Sequence, residues 1–170
     1  MQTDVKSAHI NQSGFLYNGR TRLKQITYSG NAGQAGTISF FDTAKASVAA
    51  VYGRSGTTVT VTKSAHGLNT GDLVGIAFNS ASTASATNGN YSITVVDVNT
   101  FTIVDPNSGT VTPGTACFYV NNGGTWITAF DTLTGATAAQ QLSIPGEGVL
   151  CINGLYANLT YITFVTVFYG

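Results

Sequence analysis

Short runs in which apolar and polar side chains alternate are the feature of this sequence that most limits its fold. In the clearest run, Thr57–Lys63, Val59 and Val61 fall on one side of an extended chain and threonines on the other. A two-residue period is typical of strands with one buried face. No stretch keeps the 3.6-residue period of a helix over a dozen residues. The other clear runs are Asn90–Val96, Phe101–Asp105, Ala116–Val120 and Tyr161–Tyr169.

Composition divides the chain into two ends that resemble each other and a middle that differs. The ends hold most of the large aromatic side chains, whereas the middle is rich in Thr, Ser, Asn and Gly. Glycine-bearing turns are predicted at both borders, at Gly53–Gly56 and Asn121–Gly124. Within the middle, Asn79–Asn88 is low in complexity and predicts a mobile loop. We therefore predict a discontinuous outer β domain, residues 1–53 and 122–170, with residues 54–121 inserted as a second β module.

These patterns together predict an all-β protein. The outer domain is expected to be a β-sandwich or a jelly-roll-like fold, because its strands alternate and its turns are short. The inserted module is expected to be a small antiparallel, β-barrel-like unit.

Charge is scarce in this chain and unevenly distributed. Charged residues make up 8% of the sequence, where about 25% is usual. A surface this poor in charge suggests that neighbours in an assembly cover much of it. Seven basic and two acidic residues lie in positions 1–63, a net +5, and five acidic residues follow, a net −5. This asymmetry reflects either chance or complementary faces of the protein. The sequence has no dense run of basic residues, which argues against nucleic-acid binding.

Neither export nor membrane insertion is indicated by the sequence. The first residues, MQTDVKSAHINQSG, are polar, and no run approaches 18 consecutive apolar residues. The expectation is a protein made in the cytosol, with no membrane partner.

Two sets of motifs resemble proteins of bacteriophage particles. The outer pieces, GRTRLKQITYSG with GTISFFDT and IPGEGVLCINGLYANLT with VTVFY, resemble small phage virion proteins of about a hundred residues. The inner piece, AHGLNTGDLVGI with NGNYSITVVDVNTFTIVD, resembles a small β module found repeatedly in phage tail and capsid-associated proteins. The resemblance implies a structural protein of the virion, assembled in the cytoplasm of a bacterial host.

Several residues have the chemistry of a catalytic or metal site, and each has a structural interpretation as well. Ser64, His66 and Asp72 supply the residue types of a triad, but no strained elbow accompanies them, and His66 is expected to bond backbone at a turn. Asp42 and Asp131 occur in the same Phe-Asp-Thr motif. They are either neighbours in a two-carboxylate site or, as we favour, turn caps. We predict no catalytic residue, metal or cofactor.

The cysteines and a few large side chains complete the set of candidates. Cys117 and Cys151 lie in strand-like contexts without metal-ligand spacing, which predicts buried free thiols. Arg20, Arg22 and Lys24 alternate on a predicted strand, either as a partner-binding face or as an ordinary solvated one. The residues predicted to contribute to an interface are Arg20, Arg22, Lys24, Trp126, Tyr161 and Tyr169.

The function expected from these features is structural. The first hypothesis is a capsid decoration or cement protein that binds the major capsid lattice, as a homo-oligomer. The alternative is a tail, baseplate or fibre component whose inserted module contacts host surface glycans. A particle-bound enzyme is the third, least favoured, possibility.

Overall fold

The structure, a computed structural model, describes residues 5–79, 84–121 and 123–170. Residues 80–83 of the predicted loop and Asn122 of a predicted border turn lie outside the described residues. Strands and connecting loops make up the described chain, without a helix, and the prediction of an all-β protein is confirmed. The strands are β1 Lys6–Ile10, β2 Gly14–Tyr17, β3 Thr21–Gly30, β4 Thr37–Asp42, β5 Val48–Thr62, β6 Leu73–Phe78, β7 Gly89–Ser92, β8 Thr94–Asp97, β9 Thr100–Val120, β10 Thr125–Asp131, β11 Gln140–Ser143, β12 Val149–Cys151, β13 Leu155–Thr160 and β14 Ile162–Tyr169.

The chain divides into two compact units. The outer unit comprises Met1–Ala46 and Ile127–Gly170, and the inner unit comprises Ser47–Trp126. Both borders lie outside the turns at which the sequence places them. The turn predicted at Gly53–Gly56 is wrong, because these residues belong to β5, which pairs with β9 on either side of them. Long-range pairing overrides the local turn preference of the two glycines.

The outer unit contains two antiparallel sheets. The first sheet has the order β1-β14-β3-β11, with β12 also paired to β3, and the second has the order β10-β4-β13-β2. Their facing side chains share one core, in which Ile26 and Val167 of the first sheet and Phe40 and Leu155 of the second are fully buried. This arrangement is that of a β-sandwich-like domain.

The inner unit is an open sheet of order β5-β9-β6-β7, with β8 on the first part of β9. The described strands form no closed barrel, so the barrel-like prediction for this unit is wrong. The reason is that β5 and β7, the two ends of the sheet, have no strand bonded to their outer sides among the described residues. One face is buried around Val59, Val61 and Phe101. The threonines between them are exposed, as the alternation predicts.

Two register shifts interrupt the pairing of β5 with β9. The register jumps from Thr58↔Val104 to Gly56↔Gly109, and again between Tyr52 and Arg54. The surplus residues of β9 leave the ladder as bulges, which increase local bending and twist.

Candidate interaction surface

His66 and Asp72, two of the three residues with triad chemistry in the sequence, bond the backbone. His66 is buried; its Nδ1 accepts from the Leu68 amide at 3.0 Å, which leaves Nε2–H to donate to the Asp97 carbonyl at 2.9 Å. Asp72 accepts from the amide of Asn69 at 2.8 Å and closes the turn at Asn69–Asp72. With both ring nitrogens of His66 engaged, the imidazole has no free position for a nucleophile. The expectation that His66 bonds backbone is confirmed.

Asp42 and Asp131 are not neighbours. The Asp131 carboxylate accepts from Thr37 Oγ1 at 2.7 Å, beside the first residue of β4, whereas Asp42 is the last residue of that strand. Thr37 and Asp42 are five residue steps apart along the strand, about 17 Å, too far for paired carboxylates. The Asp42 carboxylate instead accepts three backbone amides of one loop, from Ile152, Asn153 and Gly154, at 2.7–3.1 Å. Asp42 is therefore a turn cap.

Both cysteines are buried free thiols, as predicted. Burial raises the pKa of Cys117 from 9.0 to about 12. Burial, followed by the charge of Asp42, raises the pKa of Cys151 to about 12 as well. Thiols held protonated in this way are poor nucleophiles and poor metal ligands.

We expect neither thiol of the folded protein to react with a thiol-specific disulfide reagent near pH 8. A pKa of about 12 leaves only about one thiol in ten thousand ionised at that pH, and burial blocks access. Absorbance of the released chromophore should remain at baseline, and two equivalents should appear once denaturant is added. Rapid release of one equivalent from the native protein would contradict this account.

A buried ion pair lies where the β5–β9 ribbon bends. Arg54 Nη2 is 3.2 Å from Asp105 Oδ1, and their side chains are 1% and 0% exposed. Asp105 also accepts from the Thr87 and Asn107 amides at 2.5 and 2.8 Å. The guanidinium donates to the carbonyls of Gly56, Ala84, Ser85 and Asn107. The pair thus joins the segment before β7 and the β9 bulge to β5, which is a structural role.

The outward face of the first sheet carries aromatic side chains. Along β14, Val165 and Val167 point into the core, whereas Phe164, Thr166 and Phe168 alternate with them and are only half-buried. His9 of β1 lies beside them, with its ring centroid 5.4 Å from that of Phe164 and its Nδ1 2.8 Å from Thr166 Oγ1. Neighbouring apolar rings on an outward sheet face make this surface a candidate interface.

Two basic side chains border these rings. Arg22 alternates with buried Leu23 on β3, and Lys24 is the extra residue of a bulge opposite Phe168 and Tyr169. Arg22 Nε lies 4.0 Å from the exposed Glu147 carboxylate, a contact too loose to neutralise it firmly. We call His9, Arg22, Lys24, Phe164, Thr166 and Phe168 the aromatic face.

The other predicted interface residues lie elsewhere. Arg20 is exposed before β3, beside a small cavity of about 180 Å³, and so does not share the strand face of Arg22 and Lys24. Tyr169 is buried, with its ring 4.9 Å from that of Tyr17. Tyr161 is 54% exposed and has a φ of +53°, so β14 begins only at the next residue. Trp126 is partly buried, and its backbone is bonded by the Asn90 side chain.

Comparison with known proteins gives no relative on which to base a function. A scan of protein-family models and a search of curated proteins both found no match to this chain.

Residues 5–79, 84–121 and 123–170 contain neither a metal-binding cluster nor a membrane-spanning helix. No three His, Cys, Asp or Glu side chains there are grouped so as to hold a metal ion. The same part of the chain has no helix long and apolar enough to cross a membrane. The aromatic face is therefore the candidate site with the most support from geometry.

Proposed function

We propose that this chain is a structural protein of a bacteriophage particle, bound to the major capsid lattice as a decoration or cement protein. The observation that carries the proposal is the aromatic face. Phe164 and Phe168 are half-buried on the outward face of the first sheet, and Lys24 lies at the β3 bulge opposite Phe168. Aromatic residues and arginine are enriched at interface cores and dominate their hot spots.

The composition of the chain is more typical of a protein bound to other subunits in an assembly than of a free, soluble monomer. Charged residues are 8% of the sequence, and some of these few charged side chains are buried, as in the Arg54–Asp105 pair. A lattice that repeats one shallow contact many times gains affinity through multivalency, so each contact can be modest in size. The resemblance of both sequence pieces to phage structural proteins agrees with this proposal.

A sandwich with an aromatic face also suits a partner that presents acidic groups. Arg22 offers a planar guanidinium and Lys24 a flexible ammonium at one edge of the rings. We therefore expect the contacted lattice surface to combine an apolar patch with carboxylates. Basic residues at the rim would speed association and make it dependent on salt.

Copy number per particle tests the proposal and separates it from a tail role. Quantitative mass spectrometry of purified particles should find the chain at hundreds of copies, in a fixed ratio to the major capsid protein. The abundance of a known tail protein provides the internal standard. Between three and a few dozen copies would assign the chain to the tail, baseplate or fibre, and its absence from particles would refute a virion role.

A further inference from the structure

The longest edge strand among the described residues is β5. Its second half, Thr57–Thr62, lacks the lysine, proline or inward charge that usually protects an edge from pairing with another chain, whereas its first half contains the buried Arg54. β5 is 15 residues long and ends the inner sheet, bonded to β9 alone among the described strands. Natural edge strands are usually short, or carry lysine, proline or inward charge. The other edges of the described sheets follow that rule: β1, β2, β7, β8, β11 and β12 have three to five residues, and β10 ends in Asp131.

The second half of β5 is suited to accept a strand. Thr57–Thr62 alternates Thr and Val, contains no charge or proline, and follows the bulge at Gly56, so it is regular. Segments of this kind have high β propensity and pair readily through their free backbone groups. The exposed side chains are the threonines, and the valines are fully buried.

The surface beside this edge is also uncharged. The outward face of the bent ribbon forms a groove of about 550 Å³, lined by residues that include Val51, Thr60, Thr62, Thr110, Thr112 and Pro113. The only charged group in its lining is Arg54, whose side chain is 1% exposed and bonded to Asp105. Within the lining of this groove a partner strand meets no exposed charge, and Lys63 lies just beyond the end of β5. A largely neutral strand therefore fits better than a highly charged one.

We infer that this edge pairs with the same edge of a second copy, in an antiparallel β5–β5 contact. The register is fixed by a two-fold axis at Thr60, which places residues on the same face of the sheet opposite each other in the two copies. Thr58 then lies opposite the partner's Thr62, and Val59 opposite the partner's Val61, so both copies keep valine inside and threonine outside. Within one chain, Thr60 already lies opposite Thr102, and Thr62 opposite Thr100. A second β5 would place threonines opposite the β5 threonines in the same way as β9 does. The contact belongs to the inner unit and is independent of the aromatic face.

Sedimentation equilibrium of the full chain and two lysine variants tests the inference. The wild type should dimerise, whereas Thr60→Lys should raise the dissociation constant at least about tenfold, because like charges would face each other at the axis. Thr102→Lys is the matched control, since it adds the same charge to the same face on the adjacent, central strand. A monomeric wild type, an unaffected T60K dimer, or equal losses in both variants would overturn it.

Disulfide trapping gives a second readout that does not depend on the stability of the lysine variant. Residues directly opposite in an antiparallel pair have Cα atoms about 4.5 or 5.5 Å apart, within disulfide range. Under mild oxidation Thr60→Cys should therefore form a covalent dimer, and Thr102→Cys should not. The two native thiols are buried and do not compete. Absence of the T60C dimer, or equal cross-linking by T102C, would refute the β5–β5 contact.

Discussion

Asp105→Asn should destabilise the inner unit by about 3–5 kcal/mol, because it leaves the Arg54 cation buried without its counter-charge. Both side chains are almost completely excluded from solvent, so water cannot replace the lost carboxylate. The asparagine amide also cannot accept hydrogen bonds at both of the oxygens that now receive the Thr87 and Asn107 amides. Urea unfolding followed by circular dichroism measures the loss as a lower midpoint.

Asp97→Asn is the matched control for this change. Asp97 is an exposed carboxylate in the same unit and accepts one amide, from Asn99 at 2.7 Å. Its replacement should cost less than about 1 kcal/mol, because asparagine also closes such turns. The double variant Arg54→Met/Asp105→Leu should cost less than the sum of the two single changes, since no uncompensated charge remains. A stability of D105N equal to that of D97N would contradict the assigned role of the pair.

Replacing both aromatic residues of the aromatic face by threonine should weaken binding to particles at least about 100-fold. Truncating an interface hot spot costs about 2 kcal/mol or more, and each 1.4 kcal/mol is about a factor of ten in the dissociation constant. Threonine suits the strand, as it already does at Thr166 between the two rings. Pull-down with particles that lack the protein, at graded concentrations of the Phe164→Thr/Phe168→Thr variant, measures the change.

The matched control for the aromatic face is Leu133→Thr. Leu133 is 82% exposed in the loop that follows β10 in the same unit, and it is not one of the residues of the aromatic face. Its truncation removes exposed apolar surface without touching the aromatic face, so binding should stay within about twofold. Full binding by the F164T/F168T variant, with its circular dichroism unchanged, would show that another surface anchors the protein.

Local patterns in the sequence predicted the parts of the fold that depend on near neighbours. Val59 and Val61 are buried and the intervening threonines exposed because side chains alternate along any strand. The backbone bonds of His66 formed as expected, since their partners lie two residues away, at Leu68, and at the end of a neighbouring strand, at Asp97. The fold class could therefore be predicted from the sequence alone.

Features that depend on distant pairing could not be predicted in this way. Gly53–Gly56 has the composition of a turn, yet β9 pairs with Arg54, Ser55 and Gly56 and holds the segment in a strand. Arg54 and Asp105 meet only because the ribbon bends at its bulges. Phe164 and Phe168 have the same apolar character as the core residues beside them, and only the packing of the two sheets shows which side stays uncovered.

A cryo-electron microscopy reconstruction of particles carrying the protein tests the central claim most directly. The account predicts ordered density for the outer unit on the major capsid lattice, with the aromatic face against the lattice and Phe164 and Phe168 at the centre of the contact. Density in which these two side chains face solvent, or an intact particle on which the chain occupies no lattice site, would contradict it.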